Sequence, residues 1–211
     1  SMATPITAGN AALVREYFIN GYYPFGASNT TAGFVPMGAL IKAIFANAGN
    51  YMTGSEANLH GSTFPNNDQG FGLTNLSQTL YSRNTSSILD SLYVNGSFGV
   101  NCNECPTFTS SGDVRSYTIM PQYNPDNPSK SIKITIAWFD YPASASWTTT
   151  KRQLIQNDLD LYAYHNDNSY SSSSYSNTVE QIIIESSDLD YNQPITIRVT
   201  RSEEHTSELQ S

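Results

Sequence analysis

Ser131-Ile132-Lys133-Ile134-Thr135-Ile136-Ala137-Trp138 alternates apolar and polar residues without a break. Successive side chains of an extended strand point to opposite faces, so Ile132, Ile134, Ile136 and Trp138 share one face. β-branched residues and a large aromatic suit such a half-buried surface. The stretch therefore predicts a strand with one face in a core. Similar runs lie on either side, at residues 116–120, 159–164, 179–185 and 195–199. Turn-rich joins such as Asn124-Pro125-Asp126-Asn127-Pro128 separate them. Several alternating strands with polar turns predict an all-β antiparallel sandwich or jelly roll from about residue 93 to residue 200. Within it, Ser171 to Ser174 reads as a flexible loop tip.

Residues 1–92 read differently. Residues 5–17 predict a helix: Pro5 suits a first turn, where its missing N–H is no loss. Ile6, Ala8, Ala11, Ala12, Leu13 and Val14 are apolar nearly all round, which predicts a buried helix. Gly9 inside it would admit a close backbone neighbour, at about 1 kcal/mol against alanine. Asn20-Gly21 is a stop. A second helix is predicted over residues 37–48 from Leu40, Ile41, Ile44 and Phe45. A short third one follows at residues 76–80 with Asn75 as N-cap, and a small element is expected at residues 87–92.

Charged residues are only 13% of the chain and the net charge is −8. A chain poor in Lys and Arg lacks the clustered cations that phosphates require, which argues against a nucleic-acid partner. No run of 18 apolar residues is present, so no membrane-spanning segment is expected. Cys102 and Cys105 cannot complete a four-ligand zinc site by themselves; a local disulfide and a spare thiol pair are the two readings. Sequons at Asn29, Asn75, Asn84 and Asn95, with the polar composition, point to a secreted or lumenal protein. Asp140, Asp158 and Asp160 lie in oxygen-rich turns of the kind that can hold Ca²⁺; against this, Asp158 would cap a turn and Asp160 would occupy the polar face of a strand. His60 and His165 read as loop or surface histidines. Trp138 reads as core, Lys42 as a solvated side chain and Trp147 as an exposed loop residue.

Ser1-Met2-Ala3-Thr4-Pro5 puts a hydroxyl in front of a helix, where unpaired N–H groups and the positive dipole end face developing negative charge. The pentapeptide resembles the nucleophile box of the subtilisin-like serine proteases, and the following residues resemble that family's central helix. Further resemblances come in order. Gly38 to Ala48 is similar to its next helix, and Gln69-Gly70-Phe71-Gly72-Leu73-Thr74-Asn75 to the segment closing its catalytic domain. Ala137-Trp138-Phe139-Asp140-Tyr141-Pro142 and Gln156-Asn157-Asp158-Leu159-Asp160-Leu161, followed by Val179-Glu180-Gln181-Ile182, resemble runs of the subgroup with a C-terminal jelly roll. The resemblance covers residues 1 to about 200.

The resemblance implies an α/β catalytic domain represented by its last part, mainly helices, over residues 1–92, then the sandwich over 93–200. It implies serine endopeptidase activity on protein and peptide substrates, with Ser1 as nucleophile and its N–H in the oxyanion hole. No cofactor is required; calcium is compatible. The family's Asp, His and oxyanion-hole Asn precede the serine. The chain is therefore expected to be a C-terminal fragment, inactive alone and lacking the N-terminal part of the catalytic domain as its partner. The alternative is a catalytically dead adhesion or binding protein on the same scaffold. Residues 201–211, Arg-Ser-Glu-Glu-His-Thr-Ser-Glu-Leu-Gln-Ser, resemble the translation of a sequencing-library adapter and are set aside as an artefact, His205 with them.

Overall fold

The structure, a computed structural model, describes residues 1–59, 64–83, 108–123, 125, 128–142 and 155–202. The chain forms two compact units, Ser1–Cys105 and Pro106–Ser211.

The first unit contains helices α1 (Ala3–Ile19) and α2 (Gly38–Asn47) and a short antiparallel pair, β1 (Gly49–Asn50) with β2 (Leu73–Thr74). Single 3₁₀ turns occupy Thr30–Ala32, Ser55–Asn58 and Leu76–Gln78. Val14, Phe18 and Ile44 form the buried centre, with Tyr17, Tyr23, Phe34, Leu40, Ile41, Phe45, Leu76 and Leu80 packed around it. Tyr17 donates from its hydroxyl to the Tyr81 carbonyl at 2.9 Å, and burial pushes its pKa up to about 12.

The expected α/β, helix-led domain is not what forms. Among the described residues there are two α-helices against eight strands, and all the strand pairs are antiparallel. The predicted third helix is one 3₁₀ turn, although Asn75 does accept from the Ser77 N–H at 3.2 Å as a cap should. Nor is α1 buried all round. Only Val14 and Phe18 are buried, while Met2, Ile6 and Leu13 are 83%, 65% and 57% exposed. Nothing lies within 4 Å of a Cβ placed on Gly9, so no backbone uses the space that glycine leaves. The helix also starts at Ala3 rather than Pro5. That places Pro5 third in the first turn, where backbone N–H groups have no intrahelical acceptor in any case.

The second unit is a sandwich of two antiparallel sheets. One has the order β3 (Val114–Ile119), β8 (Ile195–Arg201), β5 (Leu159–His165), β6 (Asn168–Ser172); the other pairs β4 (Ile132–Ala137) with β7 (Val179–Ile184). Alternate residues of both fill the space between them: Ile134, Ile182 and Ile184 from the small sheet, and Leu159, Leu161, Ala163, Ile195, Ile197 and Val199 from the large one. Trp138 packs against this cluster half-buried and donates its indole N–H to the Asn157 carbonyl at 2.8 Å. Each fully buried Leu or Ile contributes about 1.5–3 kcal/mol, and a one-residue slip would send the whole set to solvent.

Ser171 and Ser172, expected in a loop tip, lie in β6 opposite Tyr162 and Leu161. Backbone pairing with β5 holds this edge strand, and backbone pairing is indifferent to the weak strand propensity of serine. A tight turn at Asn166-Asp167 joins β5 to β6. Asn166 there takes the left-handed backbone, with φ 52°, which asparagine tolerates. The last strand runs one residue past Thr200: Arg201 pairs with Leu159 and donates its N–H to the Asp113 carbonyl at 2.9 Å. The element expected at residues 87–92 lies outside the described residues, as do residues 203–211.

Candidate functional site

Ser1 is exposed, and so is Met2, which occupies the N-cap of α1 with helical backbone and no side-chain cap. No acidic side chain stands in the first turn. The leading N–H groups of this 17-residue helix therefore lack the acceptors that a cap or carboxylate would supply, and they carry the positive end of its dipole at the end of the helix that Ser1 precedes. That end of such a helix favours negative charge. A serine hydroxyl still needs a base to become a nucleophile, and no described residue forms a hydrogen bond with Ser1.

His165, expected at the surface, is 1% exposed. It continues the inward phase of Leu159, Leu161 and Ala163 on β5, so period-two alternation alone could have located it. The Asp190 N–H donates to its Nε2 at 2.8 Å, which requires that nitrogen to be unprotonated. Nδ1 then carries the proton and donates to the Pro194 carbonyl at 3.2 Å. Both nitrogens are thus committed to holding residues 190–194 against the sheet. Replacing His165 by alanine orphans two backbone groups and opens a cavity. The expected loss is about 2–4 kcal/mol in urea unfolding followed by a second-unit probe, and a loss below about 0.5 kcal/mol would contradict this role. His60, Cys102, Cys105 and Trp147 lie outside the described residues.

Of the candidate calcium ligands, Asp140 ties two loops together. Asp140 Oδ1 accepts from the N–H of Tyr141 (2.9 Å) and of Asn157 (3.1 Å) and from Asn157 Nδ2 (2.8 Å), while Oδ2 accepts from the Gln156 N–H at 2.6 Å. Four donors aimed at one carboxylate do not fit a metal ligand. Asp160 Oδ2 accepts from the Ser202 hydroxyl, and the Asp158 carbonyl accepts from the Ser202 N–H at 2.9 Å. Among the described residues no group of three or more His, Cys, Asp or Glu side chains is arranged to hold a metal ion.

The unforeseen carboxyl is Glu180, 2% exposed and beside Val179 and Ile182 in the buried part of β7. It accepts from the Ser172 hydroxyl and, at 2.8 Å, from the Ser174 N–H, tying the end of β6 to β7. Burial raises its pKa, and the charges of Asp158 and Asp160 push the same way against these hydrogen bonds. A carboxyl whose pKa is raised by folding stabilises the fold below its unfolded value, near 4.5, and this contribution fades as pH rises above it. Glu180→Gln keeps an acceptor for Ser174 and does not titrate. The difference in melting temperature, variant minus native, is expected to grow in the variant's favour from pH 4.5 upward. Asp113, whose pKa the N–H groups of Ser110 and Thr109 lower, acts in the opposite sense but is common to both proteins. A difference independent of pH would remove the burial argument.

The Gln69-Gly70-Phe71-Gly72 run is also structural. Gln69 Oε1 accepts from the Met52 N–H at 2.8 Å and Nε2 donates to the carbonyls of Met52 and Ala57 at 3.3 and 3.1 Å. A Cβ on Gly72 would overlap the Asn50 carbonyl oxygen, and one on Gly49 would overlap that of Phe71. β1 and β2 therefore approach only because both residues are glycine.

No family profile and no solved structure matches the chain. Curated proteins of Dictyostelium discoideum do. The serine protease/ABC transporter B family protein tagB is 28% identical over 192 residues, 79% of this chain. Its namesakes tagA and tagD are each 28% identical, over 161 and 181 residues, 76% of the chain in both cases. The chain spans about a tenth of the length of these relatives, covering 10%, 8% and 10% of tagB, tagA and tagD. The likeness ties it distantly to proteins named as serine proteases. Among the described residues no helix is long and apolar enough to cross a membrane.

Proposed function

We propose that this chain is part of a subtilisin-like serine endopeptidase in which Ser1 is the nucleophile. The observation that carries the reading is the placement of Ser1 before the uncapped N-terminus of α1, in the sequence Ser1-Met2-Ala3-Thr4-Pro5. The names of the relatives support the same chemistry. Ser1 Oγ attacks the scissile carbonyl carbon and its proton passes to a histidine base held elsewhere in the whole protein. The carbonyl oxygen becomes an oxyanion beside the Ser1 N–H and the free end of α1. The C–N bond then breaks, the departing amine takes the proton from the histidine, and water hydrolyses the resulting ester.

His165 is not that base, because both of its nitrogens serve the second unit. The chain alone is therefore expected not to react with a fluorophosphonate, whereas the whole protein is modified at Ser1. Peptide mapping of the labelled protein decides it: a fluorophosphonate adduct on any other serine, or none at all on a folded whole protein, sinks the assignment.

A further inference from the structure

The loop after α1 carries Asn29-Thr30-Thr31 beside an open depression of about 490 Å³ lined by Phe25, Ala27, Ser28, Asn29, Thr30 and Arg83. Asn29 Oδ1 accepts from the Thr31 N–H at 3.2 Å and from the Thr31 hydroxyl at 2.7 Å. That leaves Nδ2 as the end of the side chain not used by this turn. Thr30 and Thr31 are exposed and Asn29 is half-buried. The lining is mostly polar, Ser28, Asn29, Thr30 and Arg83, and its apolar members are Ala27 and Phe25, the latter 45% exposed. A shallow polar hollow with one presented aromatic face suits a sugar ring, whose hydroxyls seek donors and acceptors while its C–H face packs on an aromatic.

We infer that Asn29 is an N-glycosylation site whose first sugar seats in this depression against Phe25. The inference rests on a secretory location, and it is independent of the protease reading. In the modification, Asn29 Nδ2 forms a bond to the anomeric carbon of an oligosaccharide carried on a lipid diphosphate. The bond from that carbon to the diphosphate oxygen breaks, and the Nδ2 proton leaves with the diphosphate. Asn75-Leu76-Ser77 supplies an internal comparison. It makes the same turn, with Asn75 Oδ1 accepting from the N–H and hydroxyl of Ser77 at 3.2 and 2.7 Å. Its middle residue, Leu76, however, packs against the first unit's core, whereas Thr30 is exposed.

The test is to secrete the full chain from a eukaryotic host, remove glycans with peptide N-glycosidase in heavy-oxygen water, and map the asparagines converted to aspartate. Asn29 is expected to be converted, several-fold more than Asn75. An unconverted Asn29, or equal conversion at Asn75, overturns the assignment. Melting of the first unit before and after deglycosylation tests the seat. The glycan is expected to raise the melting temperature by a few degrees in the native chain and to lose that gain in Phe25→Ser. An unchanged gain in Phe25→Ser overturns the stacking on Phe25, and the Asn29→Asp chain made without glycan supplies the baseline should deglycosylation itself perturb the loop.

Discussion

Ser1→Ala in the whole protein that contains this chain is expected to lower kcat by roughly 10⁶-fold while leaving KM within a few-fold, the scale on which removing the nucleophile abolishes a triad that acts as a unit. The residual rate would come from binding and from the oxyanion-stabilising end of α1, which the substitution leaves in place. Stability should not change, since an exposed side chain without a structural partner usually contributes within about 0.5 kcal/mol. A loss of activity accompanied by a lower melting temperature would therefore point to misfolding. Activity close to that of the native protein would show that Ser1 does not attack substrate, and the reading of the chain as an inactive scaffold for binding would replace the one proposed.

Gly21→Ala is expected to cost about 3 kcal/mol or more, a large stability effect for a single methyl. Gly21 ends α1 with φ 65°, and its N–H donates to the Phe18 carbonyl at 3.1 Å. A side chain in that backbone region costs about 1–2 kcal/mol by itself. The added Cβ would also overlap the Asn29 carbonyl oxygen and stand 3.0 Å from the Gly33 nitrogen, both backbone atoms that cannot swing aside. Overpacking of this kind costs about a further 1–3 kcal/mol. Gly9→Ala in the same helix is the control. Nothing lies within 4 Å of its Cβ, so it should gain about 1 kcal/mol from helix propensity. Far-UV circular dichroism through urea unfolding separates the two, and equal midpoints would show that the turn at Gly21 yields without strain.

The sandwich was legible because its signal is local and repeated. Ile132, Ile134, Ile136 and the alternating runs of β5, β7 and β8 state a period of two, and the structure packs those faces together. Carried one step further along β5, the same period places His165 inside. Glu180 is in phase with Ile182 and Ile184 on β7, so the same period places it on the inward face as well. Both were missed because a titratable residue is read as exposed unless its hydrogen-bond partners are known. Those partners, Asp190 and Pro194 for one, Ser172 and Ser174 for the other, come from other strands and turns.

The first unit was less legible. Apolar composition located α1 and α2, but composition carries no information about which neighbour covers a face, and Ile6 and Leu13 stand in solvent. The sequence by itself determined the two helices, most of the sandwich strands, and a serine at the head of a helix. Only the tertiary structure decided that Asp140 ties two loops, that β6 exists, and that His165 is a fastener rather than a base. Those outcomes depend on contacts between residues far apart in the chain, whose geometry no local periodicity encodes.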